Sequence, residues 1–215
     1  MKKQYVVFGA GRFGKSIALT LQRLGGDVMV VDQDESLIQE IADEVSYAIA
    51  ADVTDPDTIR ELGLANVDCA IISMAFNLEA SVTTAMLCSE AGIPRIIAKA
   101  KNHLHEKILH RVGVHEVILP EEEMGRRLAK HLVVDNFSDW IDLSPEYSMV
   151  EVQIPKDWGG KSLKGLKVRK TYKINVIGIR TDGSVSVILD PNEALPAVGT
   201  LIIAGANENL AVLKK

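Results

Sequence analysis

Short apolar runs alternate with longer amphipathic stretches through the first half of this chain. Residues 5–8, 28–31, 47–50, 69–72, 96–98 and 116–119 are rich in Val, Ile and Ala, the pattern of strands covered on both faces. Between them, residues 13–24, 35–43, 57–62, 78–91 and 104–112 carry apolar side chains at helical spacing, as Ile17, Leu21 and Leu24 do in the first. Gly25 and Gly26 end that helix, Asp55 and Pro56 open the third, and Gly92, Ile93 and Pro94 close the fourth. This alternation predicts an α/β fold: a Rossmann-like, doubly wound parallel sheet with right-handed crossovers and helices on both faces. A further helix over 121–134 follows the sixth strand, and then the alternation stops. From Met149 onward, runs at 150–154, 174–179, 185–189 and 201–204 are separated by turns such as Asp182-Gly183 and Asp190-Pro191. That pattern predicts a small β-rich α+β domain. The expected boundaries are 1–135 for the first domain, its terminal crossover helix included, and 136–215 for the second. Residues 136–145, with Phe137, Trp140 and Ile141, are expected to pack rather than to form a loose linker.

Composition narrows the functional classes. At 215 residues and 47% hydrophobic content the chain can bury a genuine core, which excludes a disordered tail. Its 24 basic and 29 acidic side chains leave a net charge of −5, with the acidic excess in residues 1–134, so there is no basic field for duplex nucleic acid. Two separated cysteines, Cys69 and Cys88, have neither redox nor zinc spacing and suit a reducing, cytoplasmic setting. No apolar run approaches the roughly 18–20 residues that cross a bilayer, so a role at the membrane is expected to pass through a partner.

The chemistry concentrates in one motif. Gly9-Ala10-Gly11-Arg12-Phe13-Gly14 is a GxGxxG that follows an apolar strand and opens an amphipathic helix. The first glycine permits a tight turn, the second lets a backbone approach a pyrophosphate, and the third lets helix and strand pack closely. Phosphates would sit at the helix N-terminus, where unpaired N–H groups and the dipole favour negative charge. Asp32 ends the second strand 18 residues after Gly14, where a carboxylate can accept from ribose hydroxyls. A carboxylate there repels a 2′-phosphate, which disfavours NADPH and leaves NAD, ATP, ADP and AMP open. Asp52 and Val53, after the third strand, lie on the adenine side, although Asp52 equally suits a helix cap. Arg12 can reach a phosphate of its own or a neighbouring subunit's nucleotide, or can be a solvated arginine at a helix start.

An enzyme is the weaker reading, because a dehydrogenase needs a substrate domain and a proton-transferring residue facing the nicotinamide. An NAD-dependent oxidoreductase with a minimal substrate domain stands as the alternative. The five histidines, His103, His105, His110, His115 and His131, show no metal-ligand spacing. Glu121, Glu122 and Glu123 complement a helix dipole, or hold a divalent cation in an assembled interface.

The segments VVFGAGRFGKSIA, VDQDE, ADVTD, ISMAFNLEAS, IIAKAKN and HEKILHRVGVHEVILPEEEMGRRLA, with the β-rich tail, resemble the RCK family (regulators of K+ conductance). These are cytosolic regulators of potassium transport of the KtrA and TrkA type. The resemblance runs from Gln4 through Ala206, and its most specific part is GxGRFG combined with VGVHEVILPEEEMGRRLA. It implies an RCK-N domain followed by an RCK-C domain. It also implies homodimers assembling into a homo-octameric ring below a membrane-embedded K+ translocating subunit, at the inner face of the membrane. The implied function is nucleotide-sensing regulation of K+ flux, with ATP and ADP competing for the glycine-loop site and NAD or NADH binding in some members. By the same resemblance Arg12 reaches a terminal phosphate across the dimer, Lys99 is a polar nucleotide contact, and Glu121 is the cation contact. The residues assigned to the nucleotide are then Gly9, Gly11, Arg12, Phe13, Gly14, Asp32, Asp52, Val53 and Lys99. The RCK-C domain of some members binds cyclic di-AMP. The basic stretch of Lys156, Lys161, Lys164, Lys167, Arg169, Lys170 and Lys173 suits that ligand, with Arg169 and Asn175 as candidate contacts.

Overall fold

Apolar residues that run continuously in sequence divide between two cores once they are placed in a strand, because successive side chains point to opposite faces. In β1 (Gln4–Phe8), Val6 and Phe8 join one hydrophobic cluster and Val7 the other. All four residues of β4 (Cys69–Ile72) are buried, with Ala70 and Ile72 on the first side and Cys69 and Ile71 on the second. The computed structural model containing these strands describes residues 2–133 and 137–210. With β2 (Asp27–Asp32), β3 (Tyr47–Ala50), β5 (Ile96–Lys99) and β6 (Glu116–Ile118) they form a six-stranded sheet in the order β3-β2-β1-β4-β5-β6. Every pairing in it is parallel.

Helices α1 (Arg12–Arg23), α2 (Glu35–Gln39), α3 (Pro56–Glu61), α4 (Leu78–Glu90), α5 (His103–Arg111) and α6 (Pro120–Val133) follow the strands in turn. Four of them start on a side chain that accepts a backbone N–H of the first turn: Asp34 for α2, Asp55 for α3, Asn77 for α4 and Asn102 for α5. The helix α1 starts on Gly11, with no side-chain cap. The expected helix over 35–43 is shorter. It ends at Gln39 and the chain tightens into a 3-10 turn at Ala42–Glu44, which lets Ile41 reach the core fully buried.

The chain divides into two compact units, Met1–Pro120 and Glu121–Lys215. Nearly all of α6 clusters with the second unit, whereas the sequence reading grouped it with the first. The boundary expected at residues 135 and 136 falls outside the described residues, as does Val134, the expected end of that helix.

In the second unit, β7 (Phe137–Asp142), β8 (Tyr147–Gln153), β9 (Ile174–Thr181), β10 (Ser184–Ser186) and β11 (Thr200–Ala206) form an antiparallel sheet in the order β10-β9-β11-β8-β7. Short helices α7 (Leu163–Leu166), α8 (Val168–Thr171) and α9 (Asn207–Leu210) complete the small α+β domain. Here burial alternates with period two: Ser148, Val150 and Val152 of β8 are buried and their neighbours are not, as in a sheet with one covered face. Segment 137–142 is an edge strand, and its Trp140 packs against the core of this unit. The apolar run 185–189 reads as a strand in the sequence but is one only to Ser186. β10 is an outer strand paired with β9 alone, and Val187 and Ile188 beyond it are exposed.

Trp158 is fully buried at the centre of this second core, its ring 4.9 Å from that of Tyr172. Trp158→Ala is expected to lower the stability of this unit by about 3–5 kcal/mol, the range for a large aromatic removed from a packed core. Urea unfolding followed by circular dichroism measures it, and a loss under about 1 kcal/mol would contradict the assigned core role.

Candidate functional site

The winding of the parallel sheet reverses between β1 and β4: the chain leaves β1 toward β2 on one side, and β4 enters on the other. The loops at the carboxyl ends of these neighbours therefore diverge, which opens a crevice. A cleft of about 460 Å³ lies there, lined by residues from the loops after β1, β2, β3 and β4.

Its floor is the glycine loop. The Gly9 N–H donates to the Val31 carbonyl at 2.8 Å, and the Ser73 N–H donates to the Phe8 carbonyl at 2.8 Å, so the ends of β2 and β4 are tied to the end of β1. Gly9 has φ +99°, and a Cβ on it would come within 2.6 Å of the Ser73 Oγ and 2.9 Å of the Met74 Cγ. A Cβ on Gly14 would overlap the Gly9 carbonyl oxygen. Gly11 is different, because a Cβ there meets nothing within 4 Å. It faces open space at the start of the one helix among α1–α5 that has no side-chain cap, which is what an N-terminus that receives an external anion requires.

Asp32 is half-buried at the end of β2. Its Oδ2 accepts the Ala10 N–H at 2.7 Å and its Oδ1 accepts the Asp34 N–H at 2.9 Å, so the carboxylate is held rigidly beside the glycine loop. Each oxygen keeps a lone pair for a ribose hydroxyl. The Asp52 Oδ1 accepts the Thr54 N–H at 2.9 Å and the Thr54 hydroxyl at 2.7 Å, and these bonds hold its carboxyl below the usual range. The cap of α3 is Asp55, so Asp52 is not committed to capping and lines the cleft. Val53 is buried beside it, and its carbonyl accepts from the Thr84 hydroxyl at 3.3 Å, tying this loop to α4.

Of the other sequence-derived candidates, Phe13 and Lys99 meet each other, the Lys99 Nζ lying 5.4 Å from the Phe13 ring centre. Neither is among the residues that line the cleft. Arg12 is exposed in the first turn of α1 and makes no ion pair among the described residues. Glu121 is exposed at the start of α6 with Glu122 and Glu123, in the other compact unit. No group of three or more His, Cys, Asp or Glu side chains fit for a metal occurs among the described residues. Residues after β4 that the sequence reading quoted within ISMAFNLEAS but gave no role, namely Ser73, Met74, Phe76, Asn77 and Glu79, form one wall of the cleft. Their signal is topological: they follow the strand that neighbours β1 across the reversal.

His103, His105 and His115 and the two cysteines lie away from the cleft lining. The His115 Nδ1 accepts the Ile96 N–H at 3.1 Å, His103 contacts Glu106 at 2.9 Å, and burial pushes the pKa of His105 down. Both thiols are buried. Burial pushes Cys88 up to about 12 and also raises Cys69, so neither is a thiolate nucleophile. In the second unit, Lys164, Lys167, Arg169 and Lys170 line a cavity of about 430 Å³ with an apolar floor that includes Val168 and Val176, whereas Asn175 is exposed and does not line it.

Residues 5–120 match the family model of the TrkA-N domain. The chain is 35% identical over 215 residues to Ktr system potassium uptake protein C of Bacillus subtilis (strain 168), covering 100% of this chain and 97% of that protein. The chain belongs to the TrkA-N (RCK) family. A second RCK relative, Ktr system potassium uptake protein A of the same organism, is 34% identical, over 97% of this chain and 94% of its own. Among solved structures, the GsuK channel bound to NAD superposes on the whole RCK chain with a TM-score of 0.66 at 16% identity. The match spans 39% of that channel's chain, and at this identity it speaks for the fold alone.

The glycines of this RCK site separate by experiment. Gly9→Ala and Gly14→Ala are expected to destabilise the fold by more than about 2 kcal/mol, because the added carbon enters occupied space. Gly11→Ala is expected to change stability by only about 0.5 kcal/mol. Thermal denaturation of the three variants checks this, and equal losses would show that Gly11 too is a packing glycine.

Proposed function

We propose that this chain is the nucleotide-sensing regulatory subunit of a Ktr/Trk-type potassium uptake system. It binds an adenine nucleotide in the cleft between β1 and β4 and controls K+ flux through a membrane-embedded translocating partner. The observation that carries the reading is an uncapped α1 N-terminus beside a rigidly held Asp32, in a chain whose full-length relatives are potassium uptake proteins. Phosphates lie over Gly11, ribose hydroxyls donate to Asp32, and the adenine lies toward Asp52 and Val53. The oxidoreductase alternative is set aside, because the two Ktr system relatives that cover nearly all of this chain are potassium uptake proteins.

ATP and ADP are the ligands of first choice, in line with the Ktr-type resemblance. NAD and NADH form the second class, since the GsuK channel, a fold neighbour, is solved bound to NAD. A ligand moves an assembly only through a difference in affinity between its two shapes. The γ-phosphate supplies that difference by pairing with the exposed Arg12 of an adjacent subunit in a homo-octameric ring, and ADP lacks it. A divalent cation held by Glu121 belongs to the same assembled interface. The basic cavity around Arg169 is proposed for a phosphodiester ligand such as cyclic di-AMP, with Arg169 and the exposed Asn175 as the candidate contacts. No helix among the described residues is long and apolar enough to cross a membrane, which suits a cytoplasmic subunit attached to the membrane through its partner.

Titration calorimetry of the nucleotide-stripped protein with ATP, ADP, NAD and NADH tests this, with light scattering on each complex. Tight ATP and ADP binding without turnover in an octamer is expected. Asp32→Ala should weaken every adenine nucleotide at least about tenfold, by removing the ribose acceptor and releasing the Ala10 N–H. Arg12→Ala should raise the Kd for ATP about tenfold and that for ADP less than about twofold. Equal losses for ATP and ADP would refute the γ-phosphate role, and substrate-dependent oxidation of NADH would overturn the regulatory reading.

A further inference from the structure

An ionised carboxylate has two oxygens and about four lone-pair sites, so what it can recognise depends on which of those sites the fold already fills. Asp32 and Asp52 both line the cleft, and the fold fills them differently. Asp32 takes one protein donor on each oxygen, the Ala10 N–H on Oδ2 and the Asp34 N–H on Oδ1. A site remains on each, which matches two hydroxyls side by side, as on a ribose. Asp52 takes both of its protein donors on one oxygen. The Thr54 N–H reaches its Oδ1 at 2.9 Å and the Thr54 hydroxyl reaches the same atom at 2.7 Å. Oδ1 is then full, while Oδ2 accepts no hydrogen bond among the described residues.

This arrangement is not the cap of a helix, since Asp55 closes α3. Thr54 lines the cleft together with Asp52, and the loop that carries them is tied to α4 by the Thr84 hydroxyl on the Val53 carbonyl. Two donors on one oxygen favour the ionised form and hold the carboxylate against rotation. Asp52 therefore offers the cleft a single, oriented acceptor. Adenine brings one donor at its 6-amino group, with an acceptor at N1 beside it. Guanine brings two adjacent donors, N1–H and the 2-amino group, and such a pair binds best when both carboxylate oxygens are open to it.

Resting on the nucleotide reading above, we propose that Thr54 is a positioning residue that sets the base selectivity of the cleft. By filling Oδ1 of Asp52 it leaves one oxygen for the adenine amino group and withholds the paired oxygens that guanine requires. Thr54 acts through Asp52 and not by touching the base. Selectivity then rests partly on what the cleft denies the competitor.

Calorimetry with ATP, and displacement of ATP by GTP, on the full-length, nucleotide-stripped protein give the ratio of the GTP to the ATP dissociation constant. Wild type should hold GTP at least about tenfold more weakly than ATP. Thr54→Val keeps the backbone N–H and the side-chain outline but removes the hydroxyl, which opens a site on Oδ1. The ratio should fall about three- to tenfold, through tighter GTP binding. Thr54→Ser restores the hydroxyl and should stay within about twofold of wild type. In an Asp52→Ala background Thr54→Val should leave the ratio unchanged. If GTP gains nothing in Thr54→Val, or ATP and GTP weaken together, Thr54 only shapes the turn and the proposal fails while adenine nucleotide binding stands. A fall that Thr54→Ser does not reverse, or that persists with Asp52→Ala, would overturn it too. A wild-type protein that binds neither nucleotide would instead overturn the nucleotide reading and the role of Thr54 together.

Discussion

The contact on which the rest of the site depends is the approach of α1 to the carbonyl of Gly9. Gly14 lies so close to that oxygen that no side chain fits between them, and the Ser73 hydroxyl donates to the same oxygen at 2.9 Å. One carbonyl thus fixes the helix to the end of β1 and brings the loop after β4 alongside. The height of the α1 N-terminus over the sheet follows, as does the direction in which its first N–H groups point. A side chain at Gly14 would push the helix away and change the depth of the cleft between β1 and β4.

Much of this could be read from the chain because it is local. Strand, glycines and helix are contiguous, and Asp32 belongs to the next strand of a unit whose geometry is nearly invariant. The parallel sheet was equally readable, since strands buried on both faces are uninterrupted in Val, Ile and Ala, and the alternation with helices admits few topologies. What could not be read depends on neighbours distant in sequence. Phe76 was assigned no role from its segment, and its place in the cleft comes from the pairing of β4 with β1. Asp52 and Asp55 are equivalent candidates to cap α3, and only backbone geometry shows that Asp55 takes the role. The run 185–189 misled for the opposite reason: apolar content implied a strand through Leu189, whereas pairing stops at Ser186 and Val187 and Ile188 lie on the surface.

The helix starts show how the fold sets one position apart. Asp34, Asp55, Asn77 and Asn102 close α2, α3, α4 and α5 with side-chain oxygens. A cap of that kind is worth about 1 kcal/mol of stability, and α1 does without it. The first turn of α1 is therefore the place in this unit where an anion from solution can supply what a cap supplies elsewhere, so that ligand binding and local helix stability are coupled.

The two buried thiols carry a different consequence. Oxidants attack the thiolate, and both Cys69 and Cys88 are kept protonated by their surroundings. Disulfide stress therefore has little purchase on the first unit through its two cysteines. On the proposed reading, the nucleotide signal that such a protein passes to its partner stays separate from the thiol redox state of the cell.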